Sequence, residues 1–208
     1  MKDNYIAQAW LILALAVCFA AALSGIEIAL ADRIEANKIA ETREQIPKLV
    51  RSPWWQPEDA QWAADKDKTE EWVTPQGHLA YKAIDADGVD RGWVIKASGS
   101  GFADKIEVLI GLDLAGERGL GLYVLDQKET PALGNRIKEA DWRKKFVGRE
   151  TGRDIVISKA SEQAANIANN SVQAITGATV SSRSVAAIVN AAVKDFRNRM
   201  GGLKKKKQ

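Results

Sequence analysis

The stretch Thr176-Gly177-Ala178-Thr179-Val180-Ser181-Ser182 precedes the last apolar-periodic segment of this chain. Ser181 or Ser182 is a suitable N-cap for a helix beginning there. The first turn of a helix has unpaired N–H groups and the positive end of the dipole, and Gly177 permits close backbone approach. The stretch therefore offers a hydroxyl-rich site for a phosphate, although a simple capped helix with a polar loop fits it too. Apolar residues then recur at helical spacing and predict one buried helix face: Val185, Ile188, Val189, Ala192, Val193 and Phe196.

A second motif lies upstream, at Glu129-Thr130-Pro131-Ala132-Leu133-Gly134. Read locally it is a turn, because proline fixes one dihedral and glycine frees the chain for the next element. Together with residues 170–182, it resembles the motifs of the FMN-binding domain family. That family includes the G subunit of the Rnf electron-transport complex and the C subunit of the sodium-translocating NADH:quinone reductase. The resemblance covers roughly residues 91–196, with Ala132 standing where the family has glycine.

The resemblance implies that Thr179 carries FMN through a phosphoester bond, as an acceptor and not as a catalyst. A separate flavin transferase supplies the FMN group from FAD with magnesium. The family motif usually has aspartate six residues before the modified threonine, where this chain has Gln173. The other implied cofactor-binding residues are Thr176, Gly177 and Ala178, which shape the loop; Val180, Ser181 and Ser182, which face the phosphate; and Glu129, Thr130, Leu133 and Gly134, which contact the isoalloxazine or its ribityl chain.

The function implied by the resemblance is electron relay within an Rnf-type ferredoxin:NAD⁺ oxidoreductase coupled to ion translocation. The expected partners are the other membrane subunits of such a complex, and no independent substrate turnover is expected. Two alternatives remain open at this stage. One is a stand-alone extracytoplasmic flavinylated carrier, and the other is an unflavinylated membrane adaptor.

A membrane segment is predicted near the N-terminus. Residues 5–31 are nearly all apolar, with Glu27 the only charge, and such a run can cross a hydrocarbon core of about 30 Å as a helix. A cleaved signal peptide is the competing interpretation, but its apolar run is shorter. By resemblance, the N-terminus lies in the cytoplasm and the FMN domain on the outer, periplasmic face of the inner membrane.

Composition narrows the function classes. The 208 residues are 46% hydrophobic and 27% charged, which is typical of a folded protein. The net charge of +3 is smaller than the charge of the lysine run 204–207, so no broad basic surface for nucleic acid is expected. The single cysteine, Cys18, and the single histidine, His78, argue against an internal disulfide and a metal site.

The predicted fold class is α+β, with an antiparallel sheet and flanking helices. Residues 78–85 pair with 91–98, and 105–112 with 120–126, as two hairpins. A helix over 135–146 with Ile137, Trp142 and Phe146 in the core and a strand over 154–158 follow. Pro47 is expected to end a helical run that begins at residue 32. The predicted domains are a transmembrane anchor (1–31), a helical and Trp-rich connector (32–76), an FMN-binding domain (77–200) and a basic tail (201–208).

Overall fold

The computed structural model describes residues 5–50, 68–73, 79–85, 87–159, 170–200 and 204–205. The chain divides into two compact units, Met1–Glu41 and Thr42–Gln208. The helices are α1 (Tyr5–Val50), α2 (Ala140–Arg143) and α3 (Thr179–Arg199). The strands are β1 (Lys68–Val73), β2 (Leu79–Ile84), β3 (Asp90–Ser100), β4 (Lys105–Leu112), β5 (Gly119–Asp126), β6 (Val156–Ser158), β7 (Ser171–Gln173) and β8 (Lys204–Lys205).

In the part of the first unit that the structure describes, α1 runs from Tyr5 to Glu41, and it contains an apolar stretch. Its most apolar 18-residue window has a mean hydropathy of 2.4, and the described side chains in that window are exposed. By length and composition this helix can cross a membrane. The predicted N-terminal apolar helix is therefore confirmed.

The end of α1 belongs to the second unit and differs from the prediction. Pro47 does not end the helix, which continues to Val50. A proline in the last turn removes a single intrahelical hydrogen bond, and the helix ends before further bonds are affected. The packing of this turn explains why it stays helical. Its apolar side chains cover one face of the sheet, with Ile46, Leu49 and Val50 in one cluster with Tyr81, Ala83, Val94 and Leu109.

The main sheet has the strand order β5-β4-β3-β2-β1-β8, and its neighbours are antiparallel. Both predicted hairpins are present, as β2–β3 and β4–β5. Both faces of the sheet are covered, so its central strands carry consecutive buried residues such as Val108 and Leu109. Strands β6 and β7 form a separate parallel pair.

Helix α3 packs on the opposite face of the sheet from the end of α1. Every apolar position predicted for its inner face is buried, from Val185 to Phe196. Phe196 makes an edge-to-face contact with Trp93, with ring centroids 5.4 Å apart. The period of 3.6 residues thus predicted the buried face of α3 correctly.

The segment 135–146 differs from the predicted single helix. It comprises a 3-10 helix (Gly134–Lys138), then α2, then a second 3-10 helix (Lys144–Phe146). Glu139 interrupts it with an extended backbone, φ −62° and ψ 131°. The three predicted core residues, Ile137, Trp142 and Phe146, are nevertheless buried.

Several predicted features lie outside the described residues. They are His78 and three tryptophans of the connector, Trp54, Trp55 and Trp62. Trp72 is described, in β1, where it contacts Trp93 edge-to-face. Part of the lysine run, β8, pairs with β1.

Candidate functional site

Helix α3 begins at Thr179, with Ala178 as its N-cap. The expectation that Ser181 or Ser182 caps the helix was wrong, because both residues lie inside its first turn and Ala178 has no side-chain cap bond. The helical bonding begins with Ser182, whose N–H donates to the Ala178 carbonyl at 3.0 Å. The N–H groups of the preceding residues in this turn have no acceptor within the helix. They make the start of α3 an attractive place for an anion.

The hydroxyl groups around this helix start are in different environments. Ser182 Oγ donates to the Ala178 carbonyl at 2.9 Å and accepts the Ile175 N–H at 3.1 Å. Ser181 Oγ donates to Glu129 Oε2 at 2.6 Å, and both serines are buried. Thr179 is half-buried, and its hydroxyl has no hydrogen-bond partner among the residues that the structure describes.

A cleft of about 310 Å³ opens at this helix start. It brings together every predicted site residue except Thr176, which is exposed in the preceding turn, and Ser182, which points into the protein. A larger cavity of about 550 Å³ lies beside the second half of α3 and is lined by none of the predicted site residues. The lining of the cleft comprises Phe102, Glu129, Thr130, Leu133, Gly134, Gly177, Ala178, Thr179, Val180 and Ser181.

The buried Glu129 carboxylate accepts hydrogen bonds from two other segments that line the cleft. This residue is only 4% exposed. Oε1 accepts the N–H groups of Phe102 at 2.8 Å and Ala103 at 3.1 Å, while Oε2 accepts from Ser181. The loop between β3 and β4, the turn at 129–134 and α3 therefore meet on a single carboxyl group.

The turn geometry explains Gly177. Its φ of +81° lies in the left-handed region, which glycine adopts without the steric penalty of a side chain. A Cβ at this position would also lie 3.1 Å from Leu133 Cδ2. Glycine therefore lets the two motif loops approach each other across the cleft.

The rim of the cleft is apolar and solvent-exposed. Phe102 is 67% exposed, Val180 51% and Leu133 46%. Large apolar side chains grouped around one cleft favour a planar aromatic group that covers them. A free hydroxyl, unpaired helix N–H groups and an apolar rim together fit a cofactor that has both a phosphate and an aromatic ring system.

Gln173, the last residue of β7, makes hydrogen bonds to the segment around α2. Its carbonyl accepts the Trp142 indole N–H at 2.9 Å, and its side-chain Oε1 accepts from Lys145 Nζ at 3.3 Å. The polar contact of Gln173 with Lys145 thus lies at the last residue of β7, just before the 176–182 stretch.

Phe102 and the amides beside it are site residues that the sequence did not reveal. By itself, Gly99-Ser100-Gly101-Phe102 indicates only a glycine-rich connection. The residue in this segment that the site requires is Gly101, because a Cβ there would clash with Glu129 Oε1 and the Asp104 carbonyl. The clash depends on a residue 28 positions away in the chain, so no local pattern reveals it.

The segment that forms this site is similar to known proteins. Residues 101–194 match the FMN-binding domain family. The matched segment contains both motifs and every residue that lines the cleft. This part of the chain is therefore similar to the FMN-binding domain family, as the two motifs predicted.

Two curated proteins are similar to this chain in sequence. One is the G subunit of the Na(+)-translocating ferredoxin:NAD(+) oxidoreductase complex of Acetobacterium woodii, 30% identical over 51% of this chain and 50% of that protein. The other is the G subunit of the ion-translocating oxidoreductase complex of Methanosarcina acetivorans, 30% identical over 55% of this chain and 56% of that protein. The match thus spans about half the length of these relatives. They confirm the resemblance to the G subunits, and with the apolar helix α1 they support a membrane-anchored protein.

Solved structures show the same fold. NqrC of Shewanella oneidensis superposes with a TM-score of 0.62 at 16% identity, covering 80% of this chain and 99% of that one. The C subunit of the Na(+)-translocating NADH-quinone reductase of Parabacteroides distasonis gives 0.63 at 17% identity, covering 80% and 94%. At this identity the likeness establishes the fold alone.

Proposed function

We propose that this chain is a membrane-anchored flavoprotein subunit that relays electrons through an FMN bound covalently to Thr179, within an Rnf-type ferredoxin:NAD⁺ oxidoreductase coupled to ion translocation. The observation that carries the proposal is the Thr179 hydroxyl. It lies in the cleft at the start of α3 and has no hydrogen-bond partner among the described residues.

The choice of Thr179 over its neighbours has a physical reason. The hydroxyl protons of Ser181 and Ser182 are donated to buried acceptors, so neither oxygen is available without breaking a bond inside the protein. Thr176 is exposed but precedes Gly177 and lies off the helix. Only Thr179 places an uncommitted hydroxyl next to the unpaired N–H groups that suit a phosphate.

The remaining residues of the cleft have complementary roles in this proposal. Gly177 and Ala178 shape the turn, and Val180 and Ser181 supply N–H groups of the first helical turn to the phosphate. Thr130, Leu133 and Gly134 lie along the flavin ring or its ribityl chain. The flavin supplies the electron-transfer chemistry, and the protein tunes it by contacts and charge.

Attachment requires an activated donor, because a threonine hydroxyl is a poor nucleophile at neutral pH. We infer that a flavin transferase uses FAD with magnesium, as in the family. The bond formed joins Thr179 Oγ to the FMN phosphorus. The bond broken is the FAD pyrophosphate, so AMP leaves and the hydroxyl proton passes to a base of the transferase.

The relatives and the apolar helix support a proposal about the membrane and the partner subunits around this chain. G subunits of ion-translocating oxidoreductase complexes are similar to this chain, and α1 is apolar enough to span a membrane. We infer that the N-terminus is cytoplasmic, that the FMN domain lies on the outer face, and that the other membrane subunits exchange electrons with it. The exposed rim of the cleft leaves the cofactor accessible to such partners.

The test is the intact mass and in-gel flavin fluorescence of the full chain, coexpressed with its flavin transferase and exported. Thr69→Ala is the control for Thr179→Ala, because Thr69 lies in β1, outside the segment 101–194 and outside the lining of the cleft. Wild type and Thr69→Ala should gain one FMN less one water, and Thr179→Ala should gain nothing. A fluorescent Thr179→Ala, or an unmodified wild type, would contradict covalent loading at Thr179.

Membership of a complex is tested separately. An affinity-tagged chain purified from native membranes should carry the other subunits of an ion-translocating oxidoreductase. A flavinylated chain that purifies alone under conditions that keep other membrane complexes intact would support the stand-alone carrier instead.

A further inference from the structure

We propose that Glu129 is a positioning residue that holds three segments of the FMN cleft together, and that its buried negative charge lowers the reduction potential of the flavin bound there. The positioning role is a property of the protein without cofactor. The effect on potential rests on the proposed function.

The contacts of Glu129 join parts of the chain that are far apart in sequence. Phe102 and Ala103, whose N–H groups bind Oε1, are 27 and 26 residues away. Ser181, whose hydroxyl binds Oε2, is 52 residues away. All three partners are donors, which suits a carboxylate anion because an anion accepts at both oxygens. With both oxygens engaged, Glu129 acts through the segments it holds and not by contacting the flavin ring.

Two glycines leave the space that the Glu129 carboxylate occupies. A Cβ on Gly134 would lie 2.6 Å from Glu129 Oε2 and 2.7 Å from Ser181 Oγ. A Cβ on Gly101 would clash with Glu129 Oε1. Two glycines thus leave room for one carboxyl group, and any side chain there would displace it.

The same carboxylate places a fixed charge in the wall of the cleft. Reduction adds negative charge to the flavin, and a nearby buried anion disfavours that addition because water screens it poorly. The positive end of α3 acts in the opposite direction on the same cofactor. Replacing Glu129 by glutamine removes the first influence and leaves the second in place.

Two variants separate position from charge. Glu129→Asp keeps the charge but shortens the side chain by one methylene, so it no longer reaches all three donors. Glu129→Gln keeps the length and an acceptor oxygen but removes the charge. Glu139→Gln is the control, because Glu139 is an exposed residue of the adjacent segment that pairs with Arg136.

The first measurement is hydrogen exchange of the Phe102 and Ala103 amides in protein without flavin. Glu129→Asp should exchange about tenfold faster than wild type at these two amides, the equivalent of one lost hydrogen bond. Glu139→Gln should match wild type. Wild-type exchange rates in Glu129→Asp would overturn the positioning role.

The second measurement is the midpoint potential of the flavin-loaded protein. Glu129→Gln should shift the potential to a more positive value than Glu139→Gln does, while Glu129→Asp should shift it less. Equal potentials in Glu129→Gln and Glu139→Gln would overturn the charge effect. A wild-type chain that takes up no FMN would overturn the proposed function and the charge effect together, while amide exchange would still decide the positioning role.

Discussion

Ser181 Oγ donates a 2.6 Å hydrogen bond to Glu129 Oε2, and this bond joins the two sequence motifs of the chain directly. Each motif by itself reads as a local turn or helix start. Their contact brings the two loops together at one cleft, whose lining includes Thr179. The stability of the cleft therefore depends on buried polar bonding, which is costly to disrupt because an unpaired buried group loses its contact with water.

The first prediction concerns Gly134→Ala. The new methyl group would occupy the space of Glu129 Oε2 and Ser181 Oγ, so we expect a loss of about 1–3 kcal/mol in the free energy of unfolding. Urea unfolding of the flavin-free protein measures it. Leu133→Ala is the control, since this neighbouring side chain is 46% exposed and its removal should cost less than Gly134→Ala does. If Gly134→Ala were as stable as the control, the Glu129 carboxylate could move aside for a methyl group, which would contradict the prediction.

The second prediction concerns Ala132, whose φ of +60° is in the left-handed region. A side chain is strained there, so Ala132→Gly should stabilise the protein by about 0.4–1 kcal/mol. Ala140→Gly, in the first turn of α2, should have the opposite sign because glycine loses more conformational entropy in a helix. Thermal unfolding of the two variants decides the matter. A destabilised Ala132→Gly would contradict a strained turn.

The third prediction is a pH dependence at Asp85. The hydrogen bond from the Val89 N–H lowers the pKa of this carboxyl group, and Arg91 lowers the pKa further, while burial opposes both. Because the folded pKa is lowered, the stabilisation is present above the unfolded pKa of about 3.9 and is lost as pH falls through the folded value.

Asp85→Asn should therefore melt below wild type at pH 7, and the difference should close as the pH falls below about 3.9 and through the lowered folded pKa. Asp87→Asn, an exposed change in the same turn, should show no such difference. Melting temperatures across this pH range measure the effect. A gap of constant size from neutral to acid pH would contradict a contribution from the ionised carboxylate.

The fourth prediction concerns the end of α1. Ile46 is 1% exposed against the sheet, so Ile46→Ala should destabilise the second unit by about 2–5 kcal/mol. Ile39 lies in the first unit and is 44% exposed, and Ile39→Ala should change the free energy of unfolding by less than about 0.5 kcal/mol. Denaturant unfolding in detergent compares the two. Equal losses of unfolding free energy in the two variants would show that the packing of Ile46 does not stabilise the domain.

Periodicity predicted much of the fold. Alternating and continuous apolar runs located β2 to β5, and the 3.6-residue period located the buried face of α3. These patterns were reliable because an element that packs on a large surface needs apolar residues at regular spacing along the sequence.

Features set by single contacts could not be predicted in this way. Pro47 stays within α1 because the residues around it pack on the sheet, and Glu139 breaks the segment after Gly134 although no proline or glycine stands there. The cap of α3 was misplaced because Ser181 is committed to Glu129, a partner 52 residues away. Contacts at such separations depend on the fold and leave no local signature.

The most direct test of the central claim is tandem mass spectrometry of the tryptic peptide that runs from residue 160 to Arg183, from protein loaded by its transferase. This peptide contains Thr176, Thr179, Ser181 and Ser182, so fragment ions assign the flavin to one hydroxyl. We expect the FMN mass on Thr179 alone. Flavin on Ser181, Ser182 or Thr176, or a peptide without flavin, would contradict it.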